Sequence, residues 1–96
     1  MSCYFLIDTY IENGRAAYDE YIAKVRSIVE AHGGEYLIRS ENVTPLSDKR
    51  TPQRVIIIRF PDRASLDRCF SSPEYREIAH MRSESVDARA LIAEEE

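Results

Sequence analysis

The stretch His32-Gly33-Gly34-Glu35-Tyr36-Leu37-Ile38-Arg39 reads as the end of a helix, a tight reversal and the start of a strand. Helices very often close on a residue in the left-handed conformation, which Gly adopts without a Cβ clash. Gly33 is therefore expected just past the helix cap. His32 falls in the last turn, where a partly positive imidazole suits the helix dipole. Gly34 lets the chain turn sharply into Glu35. From there alternation puts Tyr36, Ile38 and Ser40 on one side and Leu37, Arg39 and Glu41 on the other, a strand with two unlike faces.

Working outward, the residues before the reversal keep a helical period. From Arg15 to His32, residues Tyr18, Tyr21, Ile22, Val25, Ile28, Val29 and His32 follow the three-and-four spacing of one apolar stripe. Asn13, beside Gly14, is the expected N-cap. Earlier still, Cys3 to Ile11 alternates: Phe5, Ile7, Thr9 and Ile11 share one face, and Tyr4, Leu6, Asp8 and Tyr10 share the other. Beyond the reversal, the second strand runs to about Val43. Residues 42–53 hold Pro45 and Pro52 among polar residues and read as a loop, long for a hairpin connection.

Arg54 to Phe60 is the most β-like segment. Its Val55-Ile56-Ile57-Ile58 run predicts a central strand buried on both faces. Pro61 stops it, and Asp62 caps a short helix through Phe70. Ser72-Pro73-Glu74 then opens a helix to about Glu84, with Ser as cap, Pro at the first position and an acid in the first turn. Val86 to Ile92 alternates again as a last strand, and Glu94 to Glu96 form a charged tail. The order strand, helix, strand, strand, helix, strand is the ferredoxin-like split arrangement. It predicts an α+β fold, one domain over residues 1–96, with a four-stranded antiparallel sheet and helices on one face.

Ninety-six residues suit one core. A net charge of −4 and a pI near 5.2 argue against nucleic-acid and anionic-membrane partners. No apolar run is long enough to span a bilayer, and no signal-peptide pattern opens the chain. Cys3 and Cys69 lack metal-ligand spacing. The expectation is a cytoplasmic protein with reduced, buried thiols, no metal and no cofactor. Lys49 and Arg50, the one adjacent basic pair, read as a solvated loop.

The chain resembles the domain-of-unknown-function-1330 family of dimeric α+β barrels. The resemblance is carried by Tyr18 and Tyr21, by His32-Gly33-Gly34-Glu35-Tyr36-Leu37-Ile38-Arg39, by Arg54-Val55-Ile56-Ile57-Ile58-Arg59-Phe60-Pro61, and by Ser72-Pro73-Glu74-Tyr75 with Arg82 beyond. Arg59 stands where an acid is usual before the Phe-Pro pair, and Cys69 and Phe70 stand where a tryptophan is usual. The resemblance implies the fold and a homodimer. Related barrel families include cofactor-free monooxygenases and haem-handling enzymes, an analogy of fold alone.

The candidate ligand-binding residues are Asp8, Tyr36, Arg39, Arg59, Tyr75 and Arg89. Asp8 sits inside an apolar strand, where a carboxylate needs a partner. Parity places it on the open face with Leu6 and Tyr10. The same alternation puts Arg39, Arg59 and Arg89 on that face, with Arg59 and Arg89 expected on either side of Asp8. Arginines on a covered face need acids or an anionic ligand. Tyr10, Tyr36 and Tyr75 could orient a small aromatic or carboxylate-bearing molecule, or serve as core tyrosines. His32 and His80 are too few for a metal site, and no nucleophile–base pair or phosphate loop is present.

Two function classes stay open, and the sequence does not decide whether the protein is an enzyme. One is a barrel pocket for a small anionic or carbonyl-bearing molecule, with or without cofactor-free turnover. The other is a structural or interaction module whose face is filled by self-compensating ion pairs.

Overall fold

The structure, a computed structural model, describes residues 1–11 and 15–96. The elements run β1 (Cys3–Ile11), α1 (Ala16–Ala31), β2 (Glu35–Ser40), β3 (Arg54–Phe60), α2 (Arg63–Ser71), α3 (Pro73–Ser85) and β4 (Val86–Glu94). The end of α1 closes as its glycines require. Gly33 takes φ +82°; its N–H donates to Glu30 O at 3.1 Å and the Gly34 N–H donates to Val29 O at 2.9 Å. These two bonds satisfy the last carbonyls of the helix. Gly34 is needed for a second reason. A Cβ there would lie 2.4 Å from Val29 Cγ1 and 3.0 Å from Phe60 Cε1, so the turn packs directly on the core. The expected N-cap Asn13 lies outside the described residues, and Arg15 stands at the N-cap position of α1 without a side-chain cap.

The other caps follow the sequence. Asp62 accepts the Ser65 N–H at 2.7 Å, and the Ser72 hydroxyl accepts the Tyr75 N–H at 3.3 Å. Pro73 occupies the first turn of α3.

The sheet order is β2-β3-β1-β4, with every neighbouring pair antiparallel. This is the ferredoxin-like α+β fold, with β3 and β1 central. Phe5, Ile7, Ile56, Ile58, Phe60 and Val86 turn to the helices and are buried against Tyr18, Tyr21, Val25, Val29, Leu66 and Ile78. Phe70 joins the layers through ring contacts at 4.6 Å to Phe5, 6.0 Å to Phe60 and 5.0 Å to Tyr75. Burying such rings contributes both area and oriented ring contacts.

Alternation fails in one strand. A bulge between Tyr36 and Ile38 leaves Tyr36 opposite Ile58 but sets Ile38 opposite Ile57 and Arg39 opposite Ile56. Past a bulge the faces exchange. Ile38, expected under the helices, therefore lies on the open face and is 45% exposed. Arg39, expected on the open face, lies on the helix side. The strand also ends at Ser40 rather than near Val43. On β4, Ile92 keeps its expected parity opposite Phe5, but the outer part of this edge strand is exposed.

Candidate functional site

β1 carries Asp8 onto the open face between Leu6 and Tyr10, with Arg89 of β4 as its cross-strand partner on one side and Val55 of β3 on the other. The Asp8 side chain is only 12% exposed. Its carboxylate is satisfied from the 41–53 connection: Arg50 donates from Nε to Oδ2 at 2.5 Å and from Nη2 to Oδ1 at 2.9 Å. This is the two-pronged guanidinium–carboxylate geometry, in which both bonds are charge-assisted. Hydrogen bonding to Asp8, followed by its charge, raises the Arg50 pKa above its ordinary value.

The connection is anchored where it meets the sheet. Gln53 donates its N–H to Thr9 O at 2.9 Å, and its side-chain carbonyl accepts the Ile11 N–H. The anchor holds the start of β3 against β1 and so sets where the Arg50 arm leaves the sheet.

Arg89 has its own acid. It donates from Nη2 to Asp87 Oδ2 at 2.9 Å and lies 4.6 Å over the Tyr10 ring, where a cation meets the negative face of the ring. Leu6, Asp8, Arg50, Arg89, Ala90 and Leu91 line a hollow of about 320 Å³ on this face. Arg50 also walls a second hollow of about 290 Å³ beneath the connection, lined with Val43, Pro45, Leu46, Pro52 and Val55. One arginine thus separates a sheet-face hollow from a loop hollow.

The candidate residues do not all converge. Asp8 and Arg89 come together. Arg59 does not join them: the register sets it opposite Tyr4, and it pairs with the exposed Glu35 at 2.7 Å. The expectation that Arg59 flanks Asp8 is thereby corrected, because strand neighbours are fixed by register as well as by face. Arg39, turned by the bulge, lies 5.7 Å from the ring centre of Tyr36, and Arg26 lies 6.0 Å from it. Burial pushes the Tyr36 phenol up to about 12, against the pull of the Arg39 charge. Tyr75 is buried, its hydroxyl 3.0 Å from that of Tyr21. Burial, with Tyr75 beside it, also raises the Tyr21 pKa.

Between α1 and the sheet, the space lined by Ile7, Tyr21, Val25, Tyr36, Ile56 and Phe70 is about 20 Å³. That is room for about one water. Tyr36 and Tyr75 therefore belong to the core side, away from Asp8.

Arg50 is the residue that the sequence reading passed over. Beside Lys49 in a polar loop it carried no signal except the unmet need of Asp8 for a cation. Among the described residues no group of three His, Cys, Asp or Glu could hold a metal ion. Cys3 and Cys69 are buried free thiols, and burial pushes Cys69 up to about 11, which keeps it protonated and unreactive at neutral pH. His32 donates its Nδ1–H to Ile28 O at 2.8 Å, and His80 is exposed on α3. Among the described residues no helix is long and apolar enough to cross a membrane.

A family described as "Domain of unknown function (DUF1330)" matches residues 2–95. No curated protein matches the chain. Among solved structures, the RPA0582 protein of unknown function from Rhodopseudomonas palustris is similar at 19% identity, with a TM-score of 0.82 over 96% of this chain and 80% of that one. SnoaB, a cofactor-independent oxygenase from Streptomyces nogalater, is similar at 13% identity and a TM-score of 0.72, over 99% of this chain and 93% of its own. A dimeric ferredoxin-like protein of unknown function from Jannaschia sp. CCS1 is similar at 18% identity and a TM-score of 0.67, over 98% of this chain and 99% of that one. At these identities the likeness shows the fold alone.

Proposed function

The chain belongs to the DUF1330 family, and from that premise we propose that it works as a homodimer joined through the open face of its sheet. In this reading each copy holds a small anionic or carbonyl-bearing organic molecule in the hollow between Asp8, Arg50 and Arg89. The single domain over residues 1–96 and a cytoplasmic location are part of the same reading.

Support for the dimer comes from apolar area. Leu6, Val55 and Ile57 are half-buried on the open face, while Ile38 is 45% and Leu91 56% exposed. At about 25 cal/mol per Å² of apolar area, covering them favours association. The Jannaschia relative of the same fold is described as dimeric.

Support for the ligand comes from the hollow itself. Its volume of about 320 Å³ falls at the lower end of small-molecule sites, and an apolar floor with a few convergent polar groups is their usual composition. Arg50 reaches in from the connection, and its side chain is 62% exposed. A ligand carboxylate or carbonyl would take one prong of Arg50 and leave Asp8 to accept a proton. That is the general-base arrangement which turnover without a cofactor would need.

One observation favours the non-catalytic alternative. Asp8 with Arg50, and Asp87 with Arg89, are each complete pairs. Such pairs could fix how two sheets dock without binding anything.

Sedimentation tests the dimer, and a monomer at micromolar concentration would refute it. Native mass spectrometry of gently purified protein tests the ligand. The expected result is a retained small molecule in the wild type that is lost in Arg50→Ala while the dimer persists. If the wild type retains nothing and Arg50→Ala only weakens the dimer, the interaction module is the correct reading.

A further inference from the structure

Arg54 opens β3 on the helix side of the sheet, in register with the buried Thr9. Its side chain is 12% exposed, and its guanidinium lies 5.7 Å from the ring centre of Tyr18 in the first turn of α1. A guanidinium taken out of water needs acceptors for its N–H groups. Arg54 is poorly supplied. Glu41, the acid that faces it, stands 3.7 Å from Nη1, beyond hydrogen-bond range. The buried Nε meets no acceptor among the described residues.

Glu41 is held instead by Arg15. Arg15 also has Asp19 at 3.5 Å. Charge is therefore balanced among these four side chains, and among the described residues the buried Nε of Arg54 has no hydrogen-bond partner.

We propose that Arg54 is a second anion-binding residue, taking the carboxylate of a small organic acid at the place where Glu41 now approaches it. Glu41 is the built-in competitor for that place. Its side chain is 43% exposed, so it can swing into water and admit a carboxylate from solution. Arg15 keeps Asp19 when it does. The incoming group can close on Nη1 to hydrogen-bond distance, a charge-assisted bond that Glu41 at 3.7 Å does not make. The nearby positive end of α1 adds a favourable field. This site is on the helix side, separate from the Asp8 hollow, so either reading can fail without the other.

The probe is acetate, titrated into the full chain at constant ionic strength against chloride, with the Arg54 Nε–H resonance followed by ¹⁵N NMR. The expected result is a saturable shift of that resonance in the wild type. In Glu41→Gln, which vacates the competing charge, half-saturation falls about tenfold, the value of one charge-assisted hydrogen bond. Arg50→Ala should leave the response unchanged. An equal shift with chloride, or no shift with acetate in Glu41→Gln, overturns the proposal. If Glu41→Gln does not fold, a wild type unmoved by acetate overturns it alone.

Discussion

On the helix side of the sheet, Ile56, Ile58 and Phe60 are almost wholly removed from water, and Tyr21 and Tyr75 satisfy each other's hydroxyls. On the other side of the same strands, Val55 and Ile57 are only half-buried and share their surface with Asp8, Asp87 and Arg89. Side chains one residue apart thus answer to different physics. The helix side carries the fold's stability through close packing, and the open side leaves apolar and charged side chains together at the surface.

The sharpest way to break this contrast is to truncate neighbours on β3. Ile56→Ala should cost about 2–5 kcal/mol of unfolding free energy, because it leaves a cavity under α1. Ile57→Ala should cost less than half of that and act instead on association. Urea unfolding at a concentration where the chain is monomeric reads both. Equal losses would erase the distinction between the faces.

Alkaline unfolding sharpens the contrast at intermediate size. Cys69 rises from an ordinary 9.0 to about 11 and Tyr36 from 10.0 to about 12. Groups that hold their protons more tightly in the folded chain contribute stability that is complete below their unfolded values. That contribution is lost as pH climbs through the folded ones. The unfolding free energy should therefore fall between about pH 9 and 12. Tyr36→Phe should flatten the upper part of the fall, whereas Asp8→Asn, on the open face, should leave its slope unchanged. Urea midpoints across this range give the answer.

The smallest effect is expected at Arg59. Its pair with Glu35 is exposed on both partners, and a double-mutant cycle of Arg59→Gln with Glu35→Gln should give about 0–1 kcal/mol, less at high salt. A larger coupling would mean that this end of the open face is shielded from water, as it would be inside an interface.

Much of this architecture was legible from neighbouring residues alone. Gly33 takes the left-handed turn, Asp62 and Ser72 cap their helices, and the alternation of β1 and β3 assigns their faces, because each of these depends on atoms a few residues apart. The place of Asp8 on the open face followed from the same rule. Its partner did not. Arg50 reaches Asp8 only because the 41–53 connection, anchored through Gln53 to β1, folds back over the sheet. Nothing near Arg50 in sequence announces that.

The edge strand shows the same limit. One bulge after Tyr36 moved Ile38 and Arg39 to opposite faces from those their alternation implied. A strand with a single neighbour, like β2, can absorb an extra residue at the cost of one local disruption, whereas β1 and β3 are held in register from both sides. Composition, caps and periodicity by themselves determined the elements, their order and the ferredoxin-like fold, since these are short-range preferences of backbone and solvent. Which charges meet was decided only by tertiary structure, since register, bulge and loop path arise from contacts between segments far apart in the chain.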